Sequence, residues 1–370
     1  MNAITNAAGL AITALSLDGL FQHQEDPDKQ IYVSLLNGDA PSGDGSIPHI
    51  ALWDEGGSRI GQYHGSANGH LGKEQTKTIT INPTQNGNHQ ATPHYLLLSM
   101  EERDAICLSV ITVAGNSVQW IWTGDMGYTC GAQWYHSGSR FGSSNKEVKC
   151  VWFDKDHTNH ARAEGLSLHL PSFATDEALV HQYSANDARL CRVIQRMTFH
   201  ESITSDSLVA TFQPPLKYTS DGAVIHPDRY INRYTRAYND RDNRWEENHR
   251  KPATKPKQKP DDHKRSHVRD WDLPRRGNST STTSTTSTVP SIRGKNSQPD
   301  RLVISKAPGH SARELCEHPN SLGPDFSITE GCFDLDTRRM RHSEDTSEDS
   351  RMVGNVGTVR VKEYKKYDEW

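Results

Sequence analysis

The amino-acid sequence predicts a mainly β protein: an antiparallel β-sandwich or barrel-like domain with a few short helices, followed by a disordered linker and a short C-terminal segment. Three observations predict it. Apolar runs of strand length recur at close intervals as far as about residue 215, with Gly, Asn, Pro and Asp filling the gaps. Helical periodicity is sparse and comes late. Beyond that point the chain turns to Arg, Lys, Asp, Ser, Thr and Pro, which bury too little apolar surface to offset roughly 1–2 kcal/mol of backbone entropy per residue. One core is therefore expected in the 370 residues.

The first segment, 1–30, holds one apolar stretch, Ala7 to Leu17 (AAGLAITALSL). Its length and the small residues around Ser16 suit a signal peptide, whereas the interrupting Thr13 and the lack of a preceding Lys or Arg suit a short helix packed on the domain. The β-rich domain is placed at 31–215. Its strands are expected at Ile31–Leu36, His49–Trp53, Lys77–Ile81, Tyr95–Met100, Ile106–Val113, Val118–Trp122, Val148–Phe153 and Leu166–Leu170. In TKTITIN, from Thr76, polar residues alternate with Ile79 and Ile81, as on a strand with one wet face. Short strands joined by turn residues point to a sandwich or barrel.

Helices are expected at Asp176–Cys191 and, in an extension at 216–240, at Pro227–Tyr238, where Tyr230, Tyr234 and Tyr238 would share one face. Residues 241–300 read as the linker. It holds a basic stretch at Lys251–Arg265 (KPATKPKQKPDDHKR), interrupted by Pro and Asp, and the tract NSTSTTSTTST from Asn278. Asn278-Ser279-Thr280 fits the N-glycosylation acceptor pattern. A cysteine-bearing segment at 301–337 is expected to carry a strand at Leu302–Ser305 and a helix at Ser311–His318, and 338–370 to be an unfolded, charge-mixed tail.

A net charge of −4 with the two signs intermixed gives no global attraction to nucleic acid or to an anionic membrane. No segment reaches the roughly 18 consecutive apolar residues of a spanning helix. The six cysteines, Cys107, Cys130, Cys150, Cys191, Cys316 and Cys332, are widely spaced, with no C-x-x-C pair. That spacing argues against a zinc ribbon or a dithiol redox site and favours disulfides in an oxidising compartment, with the connectivity open.

The densest motif is WIWTGDMGYTCGAQWYHSG, from Trp120. Trp120, Trp122, Asp125, Trp134 and Tyr135 are candidates for a ligand-binding loop, because ring faces beside a polar turn suit stacking on a glycan or peptide. The same rings equally suit the core of a disulfide-pinned hairpin. Gly124, Gly127 and Gly131 are expected to turn with positive φ. Asn37–Gly45 (NGDAPSGDG) lacks EF-hand spacing and reads as an ordinary turn. Asp154, Asp156, His157 and His160 form a D-x-D-H-x-x-H cluster that offers metal-ligand chemistry, although no helix is expected there to align the histidines. No nucleophile elbow, phosphate loop, zinc-protease motif or dinucleotide fingerprint occurs, so no catalytic residue and no cofactor is assigned.

The domain resembles a family of secreted proteins of filamentous ascomycete fungi for which no activity is established. The resemblance lies in YVSLLNGDAPSGD from Tyr32, PHIALWDEGGSRIGQYH from Pro48, DAICLSV from Asp104, the motif from Val118 to Ser137 and CVWFDKDHT from Cys150, and it resumes at PGHSARELCE from Pro308 and GPDFSITEGCFDLDTR from Gly323. It implies extracellular exposure and a terminal cysteine-bearing cap in which Cys316 would pair with Cys332. The residues after Arg338 depart from that ending.

The expectation is a secreted, non-catalytic binder of a glycan or protein, with Trp120–Tyr135 as its contact patch. One alternative is an enzyme of a fungal secondary-metabolite or cell-wall pathway acting through Asp125 or the Asp154–His160 cluster. The other is a cytoplasmic accessory protein whose basic linker meets acidic partners.

Overall fold

The computed structural model describes residues 30–65, 69–87, 91–115, 118–141, 146–231, 236–239, 244–247, 298–328, 331–334, 339–341 and 364–370. In chain order the principal elements are β1 (Ile31–Asn37), β2 (His49–Trp53), β3 (Arg59–Tyr63), β4 (Thr76–Ile81), β5 (Tyr95–Ser99), β6 (Ile106–Gly115), β7 (Val118–Thr123), α1 (Gly124–Thr129), β8 (Trp134–Tyr135), β9 (Cys150–Phe153) and β10 (Gly165–His169). They continue with α2 (Glu177–Ala185), α3 (Ala188–Cys191), β11 (Met197–His200), β12 (Arg301–Ile304), α4 (Ala312–Glu317), β13 (Asp325–Ile328), β14 (Gly331–Asp334), β15 (Arg339–Arg341) and β16 (Lys366–Glu369).

The protein is mainly β, as its strand-length apolar runs imply, and each of the eight expected strands is present within a residue or two of its expected bounds. Two antiparallel sheets share the main core. One runs β8-β9-β6-β1-β4 and the other β11-β10-β5-β2-β3, with Val33, Leu35, Ile111 and Trp122 of the first sheet and Ile50, Leu52, Leu96 and Leu166 of the second contributing to one buried cluster. Neither sheet closes into a barrel. In β4 only Ile79 and Ile81 are buried, so the alternation read from the sequence is that of a half-wet strand.

The long strand β6 organises the end of the domain that carries the aromatic motif. One of its edges pairs with β1 over residues 108–114. Its other edge is shared: residues 106–108 pair with β9, and 110–115 pair with β7. The chain leaves β7 at that junction and enters α1.

Four expectations are corrected. Asp176–Cys191 is two helices, because Asn186 at the C-cap of α2 takes an extended conformation. Pro227–Tyr230 is a single 3₁₀ turn and Tyr238 lies on a strand, so the expected helix does not run over these residues; Tyr234 lies outside the described residues. The C-terminal segment is no appendage, since it builds a third sheet, β15-β14-β13-β12-β16, in which β12 pairs in parallel with both β13 and β16. The tail expected to be unfolded therefore supplies two strands. Val303, Leu315 and Phe326 of the C-terminal segment share a second core with Trp134, Tyr135 and Trp152 of the body. In a separate unit, 233–292, the structure describes one hairpin, Arg236–Asn239 with Arg244–Glu247. Residues 1–29, the basic stretch and Asn278 lie outside the described residues.

Candidate functional site

The aromatic motif is not a hairpin. Along β7, Trp120 and Trp122 point into the main core, whereas Ile121 joins a small cluster with Val110 and Val148. The Trp122 indole N–H points at Met197 Sδ, 3.3 Å away. The one-and-a-half turns of α1 then fit into the junction on β6. A Cβ on Gly124 would stand 2.0 Å from Lys149 O, and one on Gly127 2.6 Å from Val151 Cγ2. These two glycines are required by close approach and not, as expected, by positive φ. Only Gly131, at φ +79°, takes the left-handed conformation.

From there the chain enters β8, which pairs with β9, and the C-terminal segment covers it. Leu322 N–H donates to Trp134 O and Trp134 N–H to Asn320 O. The Trp134 indole N–H donates to His318 Nδ1 (2.8 Å), Tyr135 Oη to Pro324 O (3.0 Å) and the Trp152 indole N–H to Leu322 O (2.6 Å). Phe326 and Trp370 meet the Tyr135 ring edge-on. Trp134 and Tyr135 are 0% exposed, and Trp120, Trp122 and Asp125 are buried as well. All five residues singled out in the motif are buried, but they are divided: Trp120 and Trp122 lie in the main core, and Trp134 and Tyr135 lie in the second core, where aromatic and carbonyl groups of the C-terminal segment cover the rings.

Over these rings lies a polar rim. Lys149 Nζ sits 4.5 Å from the Tyr128 ring centre and 5.4 Å from that of Trp134. It lies 3.2 Å from Glu314 Oε1 and 3.9 Å from Asp125 Oδ1, and Lys146 Nζ reaches Asp125 Oδ2 at 3.7 Å. Burial pushes the Asp125 carboxyl above its ordinary range against the pull of the two lysines, and burial beside Glu314 pushes the Tyr128 phenol up to about 12. His136 accepts the Ser311 N–H at Nε2 and stacks 4.7 Å from His310. Burial first and His310 second hold it down to about 3, so it is neutral. Lys149 and Glu314, whose side chains are 21% and 28% exposed, bring the cluster to the surface.

Ser305 Oγ, His310 Nδ1 and Glu147 stand in a row, with separations of 2.7 Å between Ser305 and His310 and 3.5 Å from His310 Nε2 to Glu147. The hydroxyl is buried and also accepts the Ala307 N–H. This row anchors the C-terminal segment and offers no solvent-facing nucleophile.

The Asp154–His160 cluster is a turn. Asp154, fully buried, accepts the Asn159 and Asp156 N–H groups, and Asp156 accepts from Thr158. His157 and His160 both have positive φ, and His157 bonds Ala161 O through Nδ1 and lies 3.4 Å from Glu164 through Nε2. Its carboxylates hold backbone N–H groups and the Thr158 hydroxyl, and no three His, Cys, Asp or Glu side chains among the described residues converge on one position. Asn37 ties the NGDAPSGDG turn by donating to the carbonyls of Gly43, Leu71 and Gly72 and accepting the Cys107 N–H.

Four cysteines form two disulfides. Cys107–Cys150 joins β6 to β9, and Cys130–Cys191 ties the end of α1 to the end of α3. Cys316 lies on α4, and Cys332 on β14 opposite Ser327.

A second polar cluster, invisible in the sequence, lies under α2. Arg196, just before β11, is completely buried. Its Nε donates to Ser172 Oγ (3.1 Å) and its Nη1 to Arg189 O. Ser172 also meets His169 Nδ1 (2.8 Å), and its carbonyl accepts from Tyr183 Oη (3.0 Å). One arginine in VIQRMTF carries no pattern that would mark it as interior.

No family profile matches the sequence, and no curated protein matches it. Among solved structures the chain is similar in part to the Delta413-417:GS form of LOX, at 10% identity and a TM-score of 0.20, with 34% of this chain and 17% of that chain covered. A related LOX crystal structure in complex with arachidonate matches at 10% identity and a TM-score of 0.20, covering 33% of this chain and 16% of that one. The chain spans less than a fifth of those proteins, and a likeness this slight carries no functional argument.

Proposed function

We propose that the protein is a secreted, non-catalytic binding protein, and that its contact site is the polar rim of Lys146, Lys149, Glu314 and Tyr128 backed by the buried aromatic motif. The observation that carries this reading is the position of Lys149, held at the surface over two rings by one partly exposed and one buried carboxylate. Such a rim offers cationic donors and an acceptor on a rigid base, which suits a hydroxyl-rich glycan or a peptide. Two disulfides braced around the same motif support an extracellular setting.

Oxidised full-length protein is applied to glycan and peptide arrays with and without a chelator. Binding that survives chelation and weakens roughly tenfold on Lys149→Ala is expected. Failure to bind either array, or binding unchanged in Lys149→Ala, contradicts the proposal. A second reading, an enzyme, draws on Asp125, a buried carboxyl with a raised proton affinity beside a lysine. It requires a turnover that Asp125→Asn abolishes with the fold intact.

A further inference from the structure

We infer that Arg196 holds a small monovalent anion, of the halide class, inside the domain. The guanidinium is always charged, and this one is 0% exposed. Among the described residues no carboxylate lies within ion-pair distance of it. Its compensation is the faces of Tyr183 and Phe212, whose centres lie 5.2 Å and 5.9 Å from Cζ, and two neutral acceptors, Ser172 Oγ and Arg189 O. Burying an uncompensated charge is among the costliest arrangements a fold can contain. His169, the nearest other titratable group, is held neutral by burial and by the arginine itself.

Among the described residues Arg196 Nη2 has no hydrogen-bond partner, and the buried Tyr218 Oη, whose one polar neighbour is Ser172, makes no hydrogen bond of good geometry. Tyr218 lies beside Ser172 and in the field of Arg196, Tyr183 and Tyr95. Tyr95 Oη, which accepts the Phe212 N–H at 2.8 Å, keeps its own proton to donate. A water molecule would answer the donors and leave the charge. A phosphate or sulfate would bring more charge and more acceptor oxygens than these donors match, and an organic carboxylate needs an opening that a completely enclosed guanidinium does not provide. A single-charge, spherical anion beside the guanidinium meets all three conditions.

The test is thermal unfolding of the full chain at constant ionic strength, with sodium gluconate replaced stepwise by sodium bromide, and anomalous scattering from crystals grown in bromide. The expected result is a saturable rise in Tm, as for any ligand that binds only the native state, and a bromide peak within hydrogen-bonding reach of Nη2. Tyr218→Phe, which removes one donor at a partly buried residue, should raise the half-saturating bromide concentration roughly tenfold. Arg196→Met, if it folds, should lose the response. An identical Tm in both salts, no peak at Arg196, or an unchanged response in Tyr218→Phe would overturn the inference.

Discussion

Buried ionisable side chains set how this protein responds to pH. His136 is held down to about 3 and His49 to about 4, in both cases chiefly by burial, and His169, His200 and His310 shift the same way. Between these depressed values and 6.5 only the unfolded chain binds the protons, so stability falls as the pH drops through that window, by roughly 2 kcal/mol per fully neutral histidine at pH 5. Asp39 opposes them. Burial raises its carboxyl to about 6 despite the Gly138 N–H it accepts, so its contribution is full below 3.8 and is lost as the pH rises through about 6. Asp125 and Asp154 are raised by burial too, but the five histidines outnumber the three carboxylates, and Tm is expected to fall from pH 6.5 to pH 4.5. Asp39→Asn, which keeps an acceptor for Gly138, should make that fall steeper and raise stability at pH 8 by about 1 kcal/mol or more. Calorimetry across the range checks both, and a Tm that climbs on acidification contradicts them. None of these environments was legible in the sequence, because burial of a histidine is a property of its neighbours. Asn37 is similar: its four backbone bonds reach Gly43, Leu71, Gly72 and Cys107, partners that no local pattern links.

At the scale of elements, strands were legible where an apolar run or an alternation was long enough to set one face. β3 (RIGQY) and β11 (MTFH) were not, since each is a short, mostly polar edge strand. The six residues of α1 carry two glycines and no helical period, so only the fit against β9 makes them a helix. Gly124→Ala would set a methyl 2.0 Å from Lys149 O, and a loss of about 3 kcal/mol or failure to fold is expected. Gly72→Ala, whose Cβ would meet only Gln75 at ordinary contact distance, should stay within about 0.5 kcal/mol of the parent. Denaturant unfolding of the two variants decides it, and equal stabilities would contradict the close-approach account. The disulfide from α1 to α3 contributes at this scale too, by about 2–4 kcal/mol for the 61-residue separation it closes.

For the whole molecule, composition located the main core but misjudged the terminus. A charged stretch such as RRMRHS gives no apolar signal, yet β15 and β16 complete a sheet through backbone pairing, and Phe326 and Trp370 close the second core over Tyr135. Deleting 298–370 should therefore expose Trp134, Tyr135 and Trp152, lower Tm by more than about 10 °C and produce dye-binding, aggregation-prone protein. A truncated chain as stable as the parent would show that the terminus is dispensable to the core. An extracellular binding protein built on an oxidised frame requires four of its thiols to be paired. Peptide mapping of protein from its native source under non-reducing conditions should recover Cys107 joined to Cys150 and Cys130 joined to Cys191. Recovery of those four cysteines as free thiols would contradict the extracellular setting and, with it, the proposed function.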